Sequence, residues 1–134
     1  VLDASVVITA ERRQLTVGEF LEAIRTAHGD LELSLAPMTI AELVHGIFRA
    51  RTPEIGERRR AYIDALVDLV PTHPMTAATA YLVGEIDATE TRKGNVMPLS
   101  DLLIAAAALE QSYAVLTENR HHFERIPGVR VLTL

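Results

Sequence analysis

Three acidic residues stand where an α/β chain can turn carboxylates into a reactive site: Asp3, Glu42 and Asp101. Asp3 closes the apolar opening Val1-Leu2. Glu42 ends the stretch Met38-Thr39-Ile40-Ala41-Glu42. Asp101 heads a run from Leu102 to Leu109 that contains no polar residue. Each acid taken alone has a bland explanation. Asp3 could cap the next helix. Glu42 stands three residues after Thr39, the spacing of a capping box. Asp101 follows Ser100, a good N-cap, and an acid there gains about 0.3–1 kcal/mol from the helix macrodipole. None of these accounts for the convergence of three acids at strand ends or helix starts on one side of a sheet. Gathered carboxylates repel one another and protonate in part unless a cation joins them. Hard oxygen donors suit Mg²⁺ or Mn²⁺. Such an ion activates water and stabilises charge on a phosphoryl group.

The elements that must position these acids alternate in type. Val1-Leu2-Asp3 reads as the end of a short strand, and Ala4 to Ile8 as strand or opening helix. Thr16 with Glu19 makes a capping box for a helix to about Ala27, stopped at His28-Gly29-Asp30. Leu31 to Ala36 is a second strand, ended by Pro37. Thr39 with Glu42 starts a helix to about Ala50. Thr52-Pro53 starts another to about Leu69, with Arg58, Arg59 and Arg60 outward and Tyr62, Ile63, Leu66 and Val67 inward. Val70 to Pro74 is a connection or a strand. Thr76 caps a helix to about Arg92, closed by Gly94. The buried helix from Asp101 follows. Tyr113 to Thr117 is a strand, Glu118 to Arg125 a loop or helical turn, and Val129 to Leu134 a last strand after Pro127-Gly128. This alternation predicts a three-layer α/β fold with a mainly parallel sheet flanked by helices, in one domain over residues 1–134. Sites in such sheets lie outside the carboxyl ends of the strands.

Composition narrows the function classes. About half of the 134 residues are apolar, enough for one core, and the net charge of -5 does not advertise nucleic-acid binding. There is no cysteine, hence no disulfide framework and no thiolate site. No apolar run spans a bilayer and no signal peptide is evident, so a cytoplasmic protein without a membrane partner is expected. The chain opens directly on Val1, and a preceding Met is expected. His121-His122 looks like a metal pair, but adjacent residues on a helical turn do not face each other. His122 is expected to contact backbone or RNA phosphate, or to lie on the surface. Arg49, Arg51 and Arg58-Arg59-Arg60 form a basic cluster that reads as a solvated face or a phosphate-docking surface. The six aromatic residues show no stacking platform, and Phe123 is expected in the core.

Four stretches resemble motifs of the PIN-domain family, in the right order and spanning essentially the whole chain. They are Val1-Leu2-Asp3-Ala4-Ser5, Met38 to Leu43, Asp101 to Leu109, and Leu116-Thr117-Glu118-Asn119-Arg120-His121-His122-Phe123-Glu124-Arg125-Ile126-Pro127-Gly128-Val129. Within that family the chain is most similar to VapC-type toxins of bacterial type II toxin–antitoxin pairs. The resemblance implies an endoribonuclease dependent on Mg²⁺, for which Mn²⁺ can substitute, with metal-binding acids at Asp3, Glu42 and Asp101. The family's fourth acidic position falls on Asn119. An amide oxygen can ligate a metal or orient water but cannot act as a general base, so a supporting part is expected there. Thr117 and Ser5 match small hydroxyl positions that could orient carboxylates or water. The resemblance further implies an RNA substrate, a homodimer, and a cognate VapB-type antitoxin whose C-terminal segment crosses the toxin. The apolar face between Ile40 and Leu69 is the expected receiving groove.

Two rival readings differ in class. A haloacid-dehalogenase-type phosphatase also begins on a strand-end Asp but needs a second Asp two residues later, where this chain has Ser5. A non-catalytic PIN-like interaction module would use the acids only as caps, and Asn119 is the feature in its favour.

Overall fold

The computed structural model describes residues 1–134. Its elements are α1 (Ala4–Arg12), α2 (Val17–His28), α3 (Pro37–Phe48), α4 (Pro53–Leu69), α5 (Ala77–Arg92), α6 (Leu99–Gln111), β1 (Ala114–Leu116), α7 (Arg120–Phe123) and β2 (Arg130–Leu132). β1 and β2 pair in parallel, Ala114 against Arg130 and Leu116 against Leu132. Leu2 bridges in parallel to Leu116 and to Leu35, and Leu35 to Thr72. The order across the sheet is therefore Thr72, Leu35, Leu2, β1, β2, with every neighbour parallel. The expected parallel sheet is present, but three of its members are reduced to single bridges. Leu31 to Ala36, expected as a strand, pairs only at Leu35 because its neighbours are short. On one side the chain enters α1 at Ala4. On the other, Pro71 and Pro74 flank the bridge and have no N–H to donate.

Side-chain alternation along these short segments builds the layers. Leu2, Leu35 and Leu116 enter one core with Val6, Phe20, Leu43 and Leu66. Their neighbours Val1, Ala36 and Val115 enter a second core with Ile104, Ala105, Phe123 and Ile126. Successive residues of an extended chain face opposite ways, so the sheet separates a layer of α1–α4 from a layer of α5–α7. Phe20 and Phe123 are fully buried, each stabilising the fold by about 1.5–3 kcal/mol. The run along α6 is buried from Ile104 to Ala108, as its composition predicts.

Helix starts decide where the acids fall. Thr16 and Glu19 form the expected reciprocal capping box of α2. Thr52 caps α4, with Pro53 at its first position. Thr39 and Glu42 do not form one. Pro37, with its preset φ, starts α3 two residues before Thr39. The buried Thr39 hydroxyl instead donates to Leu2 O at 2.9 Å, binding α3 to the first extended segment. Ser100 is likewise not a cap: Pro98 holds that position and Ser100 lies within the first turn of α6. On α4, Val67 is exposed rather than inward. Arg59 turns in, donating to Gly46 O at 2.7 Å and facing Glu11 at 3.4 Å. No helix is long and apolar enough to cross a membrane.

Candidate active site

The carboxyl ends of Val1–Asp3 and β1 open onto a cleft of about 550 Å³. Its walls include Asp3 and Ser5 from the start of α1, Glu42 and His45 from α3, Asp101 from α6, and Asn119 at the N-cap of α7. The three acids and Asn119, spread over 117 positions of sequence, thus share one hollow. Thr117 lies directly beneath Asp3.

Asp3 is nearly buried, and its Oδ2 accepts from two hydroxyls, Ser5 Oγ and Thr117 Oγ1, the latter at 2.7 Å. Both hydroxyls are held in turn by backbone. Ser5 Oγ accepts from Glu118 N–H at 3.0 Å, and Thr117 Oγ1 from Asn119 N–H at 2.8 Å. The network joins the start of α1 to the exit of β1 and fixes both Asp3 and the loop carrying Asn119. Ser5 and Thr117, expected to orient carboxylates or water, both donate to Asp3.

Glu42 occupies the second turn of α3, not the first, and no cap engages its carboxylate. Burial pushes its carboxyl above the ordinary range. The Ser100 hydroxyl opposes that rise, and the charges of Asp3 and Asp101 add to it. Asp101, in the first turn of α6, is also raised, first by burial. His122 pulls it back, and Asp3 contributes a smaller upward push. His122 Nδ1–H donates to Asp101 Oδ2 at 2.8 Å. That partnership was missed in the sequence, which left His122 against backbone, phosphate or solvent. Nothing local signals a contact across 21 residues that depends on α7 folding back against α6. His45 was unassigned and lies on the cleft wall one turn beyond Glu42. Two other acids, Glu90 and Glu118, do not line the cleft. Glu90 is buried against Lys93 (2.7 Å) and Asn95 (2.8 Å), and the Glu118 side chain is exposed.

The donor set fits a hard divalent ion in its chemistry: carboxylate oxygens, an amide and hydroxyls, with neighbouring acids adding to the burial that raises Glu42 and Asp101. No three acidic or histidine side chains converge closely enough to enclose an ion directly. The fit is therefore to an ion that keeps much of its water and takes one or two carboxylates, the usual habit of Mg²⁺. Glu42, the least anchored of the acids, is the side chain with room to adjust.

Comparisons with known proteins bear on the family and the fold. The model of the PIN domain family matches residues 1–129. The tRNA(fMet)-specific endonuclease VapC of Salmonella typhimurium is 29% identical over 99 residues, 74% of this chain and 73% of that protein. Ribonuclease VapC of Rickettsia bellii is 27% identical over 134 residues, 100% of this chain and 95% of the relative. Among solved structures, VapBC2 from Rickettsia felis bound to a DNA fragment from their promoter superposes with a TM-score of 0.84 at 19% identity. That match covers 99% of this chain and 96% of the other. At that identity it speaks for the fold alone.

Proposed function

The chain belongs to the PIN-domain family, and from that premise we propose that it is a Mg²⁺- or Mn²⁺-dependent endoribonuclease, the VapC-type toxin of a type II toxin–antitoxin pair. The observation that carries this reading is the meeting of Asp3, Glu42, Asp101 and Asn119 on one cleft at the carboxyl ends of a parallel sheet. Both full-length and partial relatives named as ribonuclease or endonuclease support it. The substrate is RNA and the nucleophile is water, with no covalent intermediate on the protein. Asp3, Asp101 and Glu42 would hold the ion between them, one or two of them directly and the rest through its water. When bound, it supplies Lewis-acid activation of the scissile phosphate and of water.

The chain's own residues do the rest. Ser5 and Thr117 keep the Asp3 carboxylate in one orientation. Asn119 can orient water or a phosphate oxygen through its amide but cannot take a proton. Arg49, Arg51, Arg58 and Arg60 offer phosphates a docking surface beyond the cleft. Arg59 is engaged by Glu11 and Gly46. Specificity would come from RNA shape and unpaired loops. Acting on cellular RNA, the protein would work in the cytoplasm.

A hollow of about 300 Å³ between α1, α3 and α4 supports the antitoxin reading. Val7, Leu43, Ile63 and Tyr62 line it, and it shares Ile8, Glu42 and His45 with the acidic cleft. An apolar antitoxin segment lying there would bring an Arg or Lys within reach of the acids. Ile8→Ala, at a partly exposed position of the groove, should weaken capture of the antitoxin; unchanged capture would place the contact elsewhere. Exposed Met75, Tyr81, Val96 and Leu99, on α5, α6 and the segments beside them, suit a homodimer contact.

The test is cleavage of a mixed RNA pool by antitoxin-free protein in Mg²⁺, Mn²⁺ or EDTA, beside Asp101→Asn purified identically. Cleavage that needs the ion and vanishes in the variant is the expected result. Equal cleavage by both proteins means contamination. No cleavage, together with no Mn²⁺ binding by calorimetry, would favour the non-catalytic interaction module.

A further inference from the structure

Two of the three acids are presented to the cleft in the same way. Asp3 and Asp101 each have Oδ2 engaged by side chains, while Oδ1 makes no hydrogen bond within the protein and is not sealed from solvent. For Asp3 the anchors are the hydroxyls already described. For Asp101 the anchor is His122.

The ring of His122 is itself well placed. It sits on α7, a single turn pinned into the core by the fully buried Phe123, and the backbone N–H of His122 donates to Asn119 O at 3.0 Å. The neighbouring His121 ring meets it edge-on, with centroids 4.4 Å apart. One short turn therefore delivers Asn119 to the cleft wall and a ring N–H to Asp101. The chemistry of the donor also fits. An Arg or Lys here would hold a fixed positive charge against an incoming cation. An imidazole can donate the same bond while uncharged.

We infer that His122 is a positioning residue: by holding Oδ2 it turns Oδ1 of Asp101 into the cleft and so sets the affinity for the divalent ion. This rests on the metal-dependent reading above. Partners that hydrogen-bond a ligating carboxylate typically change metal affinity by about 10–100-fold when removed.

The experiment is calorimetric titration of antitoxin-free protein with MnCl2, for the wild type, His122→Phe, His122→Asn and Asp101→Asn. Phe keeps the ring without a donor, and Asn keeps an amide N–H near the position of Nδ1. His122→Phe should bind Mn²⁺ about 10–100-fold more weakly, His122→Asn within a few-fold of the wild type, and Asp101→Asn most weakly of all. Melting in EDTA should leave His122→Phe close to the wild type. Its RNA cleavage should recover when Mn²⁺ is raised, a shift in metal requirement rather than in maximal rate. Wild-type affinity in His122→Phe would overturn the inference and leave the metal reading intact. Equal loss in the Phe and Asn variants with a lowered melting temperature would also overturn it, by showing a structural part. A wild type that binds no Mn²⁺ would refute the metal reading itself, and the inference with it.

Discussion

Thr117→Val removes one oxygen from the base of the cleft and nearly nothing else. Thr117 is fully buried, and its hydroxyl both donates to Asp3 Oδ2 at 2.7 Å and accepts from Asn119 N–H at 2.8 Å. Val fills the same volume, so no cavity term arises. A hydrogen bond to a charged group is worth about 1.5–3 kcal/mol, and an orphaned donor costs about 1–3 kcal/mol. Two features reduce the sum. Ser5 still donates to Asp3 Oδ2, and Asn119 N–H is only partly buried. The expected loss is then about 2–3 kcal/mol. Unfolding entropy is about 2.1 cal/mol/K per residue, so for 134 residues the melting temperature falls by roughly 7–11 °C. Thr117→Ser keeps both bonds and loses a methyl, about 1 kcal/mol. The assay is thermal unfolding followed by circular dichroism in EDTA, so that no ion adds to the difference. Equal losses in Val and Ser, or none in Val, would refute the argument. Ser5→Ala combined with Thr117→Val should depart from additivity, because the two hydroxyls share one acceptor oxygen.

Two further outcomes follow from the raised groups. Burial raises the Glu42 carboxyl in the fold, so its ionisation opposes folding from the ordinary carboxylate range upward, in full above the raised value. Glu42→Gln should therefore melt at or above the wild type at neutral pH without metal, and the gap should close in acid. At Mn²⁺ about 100-fold above its Kd the wild type gains about 2.7 kcal/mol, and the order should invert; a destabilised Gln variant in EDTA would contradict this. Tyr62 has a sealed hydroxyl without a partner, and burial with the charge of Glu11 pushes it up to about 12. Its ionisation opposes folding as pH rises from its ordinary value near 10 toward that raised value. Tyr62→Phe should match or exceed wild-type stability near neutrality and lose less between pH 10 and 12, as alkaline denaturation would show.

What the sequence made legible was local chemistry; what it hid was long-range geometry. Thr16 with Glu19 read as a capping box and is one. Thr39 with Glu42 has the same spacing and is not, because Pro37 begins the helix earlier and the Thr39 hydroxyl reaches Leu2 O, 37 residues away. Ser100 failed as a cap for a related reason, since Pro98 already held that place. Both errors moved an acid relative to its helix, yet neither took it out of the cleft. A helix start shifted by two residues still leaves Glu42 near the same end of the sheet. The motif resemblance placed Ser5 and Thr117 and left their acceptor open between carboxylates and water. Their meeting at Asp3 joins residues 112 apart in the chain. His122 was invisible for the same reason, since its partner lies on another helix.

The sheet's economy of strand explains why Asp3 and Thr117 fall side by side at the cleft. With Leu2, Leu35 and Thr72 contributing single bridges, the chain leaves extended structure almost as soon as it enters. The first side chains past each bridge therefore fall at one rim. Asp3 is one residue beyond Leu2, and Thr117 one beyond Leu116. Such a rim concentrates negative charge with little to offset it: Arg59 is turned away to Glu11, and among the three acids His122 bonds only Asp101. Burial comes first in raising the carboxyls of Glu42 and Asp101, and the charges of the neighbouring acids add to it. Whatever positive group enters relieves the same repulsion, whether a divalent ion or the basic side chain of an antitoxin segment in the adjoining groove. On the proposed reading the two should compete. The groove and the cleft share Glu42 and His45, so a side chain arriving from the groove meets Glu42 first. Mn²⁺ should then weaken binding of an antitoxin segment that carries the basic residue, and leave unchanged that of one in which it is replaced by Ala.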